Sequence, residues 1–428
     1  MSKKRLWPEF TAEMKKTHTI LIPDMCSIHF ALIKNVFLNY GYKAELLTST
    51  DQSIIDNGLK YVHNDTCFPA LLVIGQIMDA LHSGRYNLDK VALIMPQTGG
   101  GCRASNYIHL LRRALKADGL GHIPVISISY AGIEKHSGFK LTLPLVRRGL
   151  AALVYGDMLM LLSNQTRPYE VTPGESDALV QVWVERLSEL MGRGRGYSRR
   201  DMAKWLDEIA ASFAAIERTP RDVVKVGIVG EIYVKYSPLG NNQLEKFLAS
   251  QGCEVMVPGL LGFLLYCAVN GVVDIDLYGG TRVNRVIREA ALNYLLSYED
   301  MLIKAVEKQE VFIAPWPHKK LFEEGTKIIG PGCKMGEGWL LTAEMVELIH
   351  HGYRNIVCAQ PFACLPNHIV GKGMIRRLRE LYGANIVAID YDPGATRVNQ
   401  ENRIKLMLAV AREEKDGLKA PGGRHVTA

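Results

Sequence analysis

Short runs of apolar, often β-branched residues alternate along this chain with longer stretches in which apolar positions return every three or four residues. The short runs at 17–23 (THTILIP), 44–48 (AELLT), 90–96 (KVALIMP) and 123–129 (IPVISIS) have the length and composition of strands buried on both faces. Between them, 67–84 (CFPALLVIGQIMDALHSG) and 105–119 (SNYIHLLRRALKADG) carry the helical period. The second half repeats this grammar, with strands expected at 223–231, 253–259, 310–315, 355–360 and 384–390. Strand–helix alternation of this kind predicts an α/β protein with two doubly wound parallel-sheet domains. The stretch 174–220 is amphipathic and polar, so it reads as a helical connector between them. The resulting division is an N-terminal α/β domain at 1–172, the connector at 173–221, a C-terminal α/β domain at 222–412 and a flexible Gly- and Pro-containing tail at 413–428.

The 428 residues are 48% hydrophobic and 22% charged, a core-forming composition. Net charge is +7, yet Lys and Arg are scattered, and the densest basic run (GRGRGYSRR, 192–200) reads as an exposed linker rather than a nucleic-acid surface. The basic N-terminus is followed by no apolar signal region, and VPGLLGFLLYCAVNGVV (257–273) is interrupted by glycine, proline and asparagine. The expectation is a cytoplasmic protein that contacts neither nucleic acid nor membrane. Eight cysteines in that compartment point to metal ligands or buried thiols rather than disulfides, and no CxxC pair occurs.

Open α/β sheets bind ligands at the carboxyl ends of their strands. Cys102 follows the strand at 90–96 through three consecutive glycines, which leave the backbone open to close approach. Cys364 follows the strand at 355–360, with Pro366 just beyond, and Cys67 lies in a turn that leads into a helix. Three thiolates converging on a crevice between two α/β domains suit an iron–sulfur cluster better than zinc. Each also suits the commoner role of a small buried hydrophobe. Cys253 and Cys267 fit that role best, Cys26 fits either, Cys333 sits in a Gly-rich loop, and Cys358 lies inside an expected strand. Two runs mimic nucleotide motifs. DIDLYGGTRV (274–283) lacks companion phosphate loops and reads as strand plus turn, and VGIVGEIYVKY (226–236) lacks a complete GxGxxG. No ATPase motif is present in the chain.

Six runs are similar to motifs of the acyl-CoA dehydratase activase-related family: NDTCFPA, MPQTGGGCRASNYI, GEIYVKYSPLGNNQLEKFL, GEGWLLTAEMVELI, CAQPFACLPNHIVGKGMI and IDYDPGATRVNQENRIKLML. That family is related to subunits of 2-hydroxyacyl-CoA dehydratases and benzoyl-CoA reductases and to double-cubane cluster proteins. The resemblance spans about residues 10–411. It implies an iron–sulfur component, with a [4Fe–4S] cluster or a double cubane, that receives low-potential electrons from a separate ATP-dependent activase and passes them to a substrate. A second dehydratase-like subunit or a homodimer completes the expected assembly. The alternatives are a non-catalytic relay or scaffold subunit, a double-cubane small-molecule reductase, and a metal-free α/β sensor.

Carried over residue by residue, the resemblance implies Cys67, Cys102 and Cys364 as ligands, with Cys358 next; three ligands leave one iron open. It assigns Arg103 and Asn106 to hydrogen bonds with cluster or substrate, Glu337 to an acid, base or backbone-binding role, and His368 to proton donation. Trp339 is expected in the core and Asp392 in a turn.

Overall fold

The computed structural model describes residues 7–63, 65–97, 102–129, 134 and 136–419. Its contacts divide the chain into two units. The first runs to Leu159 and takes in Val180–Leu206 and Tyr236–Asn241; the second comprises Met160–Leu179, Asp207–Lys235 and the chain from Asn242 onward. Each unit is an α/β fold around a four-stranded parallel sheet, as the alternating pattern predicts.

In the first unit, β1 (Thr19–Pro23), β2 (Lys43–Leu47), β3 (Val91–Gln97) and β4 (Val125–Ser129) lie in the order β2-β1-β3-β4. In the second, β5 (Val224–Gly230), β6 (Cys253–Met256), β7 (Asn355–Pro361) and β8 (Asn385–Tyr391) lie in the order β6-β5-β7-β8. The two halves therefore share one topology without shared sequence. In both, the chain leaves its first strand toward one edge and later returns to the other side. That reversal opens a crevice at the carboxyl ends of β1 and β3 in one unit and of β5 and β7 in the other. Register is fixed by apolar pairs such as Ile20↔Ala92 and Val229↔Cys358. Val226, Ile228, Ile356 and Ile386 are fully buried, as strands covered on both faces require.

Four expectations are corrected. Residues 310–315 form a turn and an irregular segment instead of a strand. The Gln165 side-chain amide takes the place of a neighbouring strand: its Nε2 donates to Ile313 O at 3.0 Å and its Oε1 accepts from Ile313 N–H at 2.8 Å. Residues 274–283 are not strand plus turn. They hold the end of the helix Leu260–Tyr278, a turn and the start of the helix Arg282–Glu307, capped by Thr281. The connector at 173–221 does not stand apart. Helices Leu143–Thr166, Glu175–Gly192 and Arg199–Ala214 are each divided between the units. Their apolar faces are buried at Trp183, Leu187, Leu206 and Ile209, and Asn35 donates to Ser188 Oγ at 2.7 Å. The last helix, Arg397–Lys419, continues past the start of the expected tail; residues 420–428 lie outside the described residues.

Among the described residues one helix, Leu260–Tyr278, is long and apolar enough to cross a membrane, with a mean hydropathy of 1.7. Its glycines and Asn270 do not interrupt it. Asn270 Oδ1 accepts the indole N–H of Trp339 at 2.9 Å, and Tyr266 packs with Trp339 and Leu321 in the core of the second unit.

Candidate functional site

Cys67, Cys102 and Cys364 share one local geometry: each is the residue immediately before a helix, with extended backbone. In two cases proline follows two positions later, in CFP (67–69) and CLP (364–366), where its fixed φ and missing N–H suit the first helical turn. A thiol in this position faces the N–H groups of the first turn. At Cys364 the backbone N–H of Asn367 bonds the sulfur.

In the first unit the segments carrying Cys67 and Cys102 meet. The Cys67 sulfur lies 2.6 Å from the Tyr107 hydroxyl, at the start of the helix that follows Cys102. Arg103, on the single 3-10 turn between them, donates to the Asp65 carbonyl, which ties the two segments together. Arg103 thus has a structural partner in addition to the expected ligand role. Asn106 is exposed and begins the helix Tyr107–Ala117 without capping it. The glycine run 99–101 that precedes Cys102 lies outside the described residues.

The second unit surrounds Cys364 with acids. β5 ends at Gly230, whose φ of 153° and approach to the Ala359 carbonyl leave no room for a side chain. The chain then turns so that Glu231 N–H bonds Ala359 O at 3.1 Å, which sets Glu231 at the β5/β7 crevice. Glu337 reaches the same place from the run MGEGW. Gly336 and Gly338 are both left-handed, at φ 60° and 48°. A Cβ on Gly338 would stand 2.3 Å from the Tyr266 hydroxyl and 2.4 Å from Cys333 O. These glycines explain why the acid is flanked as it is: they let the loop turn inward. The buried Glu337 accepts from Ile232 N–H at 2.8 Å and from Asn367 Nδ2 at 3.0 Å. Asn367 Nδ2 also lies 3.4 Å from the Cys364 sulfur, and its Oδ1 is buried with no partner. Just before Cys364, Ala363 is held at φ 59°, a backbone strain that non-glycine residues seldom carry.

Removal from water raises Glu337 above the ordinary carboxylate range. The same effect raises Glu231, and the Glu337 carboxyl adds to it. Glu344 is also raised by burial, opposed by the buried Lys235 ammonium at 3.0 Å. Burial pushes the Cys364 thiol up to about 12, and the carboxyls of Glu231 and Glu337 act in the same direction. Cys364 is therefore a neutral thiol here, beside two acids that favour their protonated forms. A positively charged metal centre reverses that balance, because it deprotonates the thiol it binds and offsets nearby negative charge.

His368 stands on the outer side of this cluster. Its Nδ1 lies 2.9 Å from Cys364 O and its Nε2 3.7 Å from Asp390 Oδ1. Asp390, near the end of β8, also accepts from Gln360 at 2.6 Å and pairs with Lys372 at 3.4 Å. Asp392 forms the expected turn, accepting from Gly394 N–H at 2.7 Å. Trp339 is fully buried among aromatic rings, as expected.

Cys358 lies inside strand β7, as expected, and takes a core placement. It points into the core from β7, fully buried, and a Cβ on Gly371 would lie 3.1 Å from its sulfur. Burial pushes it up to about 12. Cys253 in β6 and Cys267 in the helix Leu260–Tyr278 are core thiols, both pushed up to about 11 by burial. Cys333 is exposed. No group of three or more His, Cys, Asp or Glu in metal-binding arrangement occurs among the described residues.

Within each unit the soft donors are thiols that precede helices: Cys67 and Cys102 in the first, and Cys364, with an amide donor to its sulfur, in the second. Thiolates are the donors that iron–sulfur centres take. Reading the sequence missed Glu231, Lys235, Glu344 and Asp390. Glu231 and Lys235 lie in VGIVGEIYVKY, a run set aside for lacking nucleotide glycines. The usable signal was an acid directly after a buried strand.

Compared with known proteins, the chain matches no protein-family model and no curated sequence.

Proposed function

We propose that the chain is the iron–sulfur component of an ATP-activated low-potential reductase or dehydratase system, similar to 2-hydroxyacyl-CoA dehydratases. In this reading it works in the cytoplasm with a separate ATP-dependent activase, and with a second dehydratase-like subunit or a second copy of itself. The observation that carries the reading is the shared geometry of Cys67, Cys102 and Cys364, each preceding a helix, two of them in Cys-x-Pro.

Cys67, Cys102 and Cys364 would hold a [4Fe–4S] cluster, which would supply a one-electron centre. The chain's own residues do the rest. Asn367 orients Cys364 through its amide, and a hydrogen bond to a cluster sulfur raises its potential. Glu337, held toward its protonated form by burial, stores a proton beside that thiol. His368 is oriented by Cys364 O so that its second nitrogen faces Asp390, a position from which it passes a proton to an incoming group.

The test is electron transfer. Protein purified without oxygen is mixed with ATP and an activase of this class, and the reduced-cluster signal is followed by electron paramagnetic resonance. The reading expects an ATP-dependent signal that Cys67→Ala, Cys102→Ala and Cys364→Ala each abolish and that Cys253→Ala and Cys358→Ala retain. An ATP-dependent signal undiminished by the first three substitutions defeats the ligand assignment. Absence of any signal from chemically reduced, reconstituted protein defeats the reading as a whole.

A further inference from the structure

The crevice of the first unit carries a second constellation that the proposed function leaves unused. Cys26 is the residue preceding the thirteen-residue helix Ser27–Asn39, just past the carboxyl end of β1. His29 is three residues on, the spacing at which a residue before a helix and one in its first turn bring their side chains together. The Cys26 sulfur lies 2.9 Å from His29 Nδ1. A purely local contact would end there. It does not: His29 Nε2 lies 2.8 Å from Oδ1 of Asp157, more than a hundred residues away in sequence. All three side chains are buried, with 4% of Cys26 exposed.

Two further features show that the arrangement is built. Asp157 is preceded by Gly156, and a Cβ there would stand 2.4 Å from His29 Cδ2, so glycine makes the space for the ring. Asp24 lies at the same end of β1, accepts from Ser27 Oγ at 2.7 Å and keeps a buried Oδ1 with no partner. Burial raises Asp24, and the charge of His29 opposes that rise. The imidazole is therefore faced by two carboxyl groups, Asp157 in contact and Asp24 within electrostatic reach.

We propose that Cys26 is a reactive thiol, activated by His29 and Asp157, whose substrate is a small hydroperoxide. Asp157 fixes the ring so that Nδ1 faces the sulfur and steadies the imidazolium that forms there. The thiol gives its proton to Nδ1. The thiolate attacks the terminal peroxide oxygen; the S–O bond forms as the O–O bond breaks, and the leaving oxygen takes the proton back from His29. Cys26 ends as a sulfenic acid and the peroxide as an alcohol or water, with no other reactant needed. The burial of Cys26, 4% exposed as a residue, selects the substrate class: it favours a two-oxygen molecule over a bulky acyl carrier. His29 touches the reacting sulfur; Asp157 acts through His29 as a positioning residue.

The experiment treats the full-length protein with hydrogen peroxide, traps sulfenic acid with dimedone and reads each cysteine by peptide mass spectrometry. Cys253 is the internal comparison, a buried thiol pushed up by burial, against the charge of Arg412. Cys26 is expected to be trapped at least about tenfold faster than Cys253, and Asp157→Asn or His29→Gln to remove that advantage at unchanged melting temperature. The rate of Asp157→Asn should also lose the pH dependence of the parent. The proposal is overturned if Cys26 reacts no faster than Cys253 in the unsubstituted protein, a comparison that stands even where a variant misfolds. It is equally overturned if a folded Asp157→Asn reacts at the parent rate.

Discussion

Gly338 decides where Glu337 points. Its φ of 48° and its contact with the Tyr266 hydroxyl and the Cys333 carbonyl exclude any side chain. Gly338→Ala should therefore cost roughly 1–3 kcal/mol, measured by urea unfolding, because it adds backbone strain to a steric clash. A change within about 0.5 kcal/mol would mean the loop adapts freely. Lys235 is the second residue on which this cluster depends. Its ammonium pairs with Glu344 at 3.0 Å, and both are buried. Lys235→Met should destabilise the fold by about 3–5 kcal/mol, since it leaves a buried carboxyl uncompensated; the double substitution Lys235→Met with Glu344→Leu should recover much of that loss. Little recovery would argue that the ammonium serves Glu337 or Glu231 instead.

At the scale of elements, the strand–helix pattern was legible because buried parallel strands are short apolar runs: eight expected strands are strands, and 274–283 and 310–315 are not. The run 310–315 failed for a reason no periodicity carries: the backbone N–H and C=O of Ile313 are paired by one distant side-chain amide. Gln165→Ala should lose both bonds, lower stability by about 1–3 kcal/mol and speed hydrogen exchange at the Ile313 amide. Unchanged exchange there would show that the segment is held by packing alone. The helix Leu260–Tyr278 was misread for the opposite reason. Glycine and asparagine look like interruptions in a one-dimensional pattern, yet Asn270 is an acceptor for Trp339 and the helix continues through Tyr278. Of the candidate site, the cysteines preceding helices were legible through their turns and prolines. Glu231 had a local signal, an acid directly after a buried strand, that the motif search passed over; Asp390 and the Cys26–His29–Asp157 relay depend on which distant segments become neighbours.

For the molecule as a whole, buried titratable groups set a pH profile. Burial raises Glu347 from 4.5 to about 8, against the Trp316 N–H bond. Across that interval the folded chain keeps a proton that the unfolded chain has lost, so this group makes stability fall as pH rises. Burial lowers His318 from 6.5 to about 4. Across that interval the unfolded chain takes up a proton that the folded chain refuses, so stability falls as pH drops. The two effects oppose each other between 4.5 and 6.5; above 6.5 only Glu347 acts. Stability should therefore decline from pH 6.5 to 8 by up to about 2 kcal/mol from this group, and Glu347→Gln should flatten the decline. Equal slopes in parent and variant would place the proton elsewhere, with Glu231, raised to about 8, and Glu299, raised to about 7, the other buried acids in that range.

The shared topology of the two units puts cysteines preceding helices at the carboxyl edges of both sheets, and the account stands on those cysteines holding iron. The most direct test is iron and acid-labile sulfide per chain in protein purified and reconstituted without oxygen, beside the triple variant Cys67→Ala, Cys102→Ala, Cys364→Ala. The account predicts about four of each per parent chain and near none in a triple variant that melts like the parent. No iron in the parent, or the same iron in the folded triple variant, would contradict it and return these residues to the role of ordinary thiols beside helix starts.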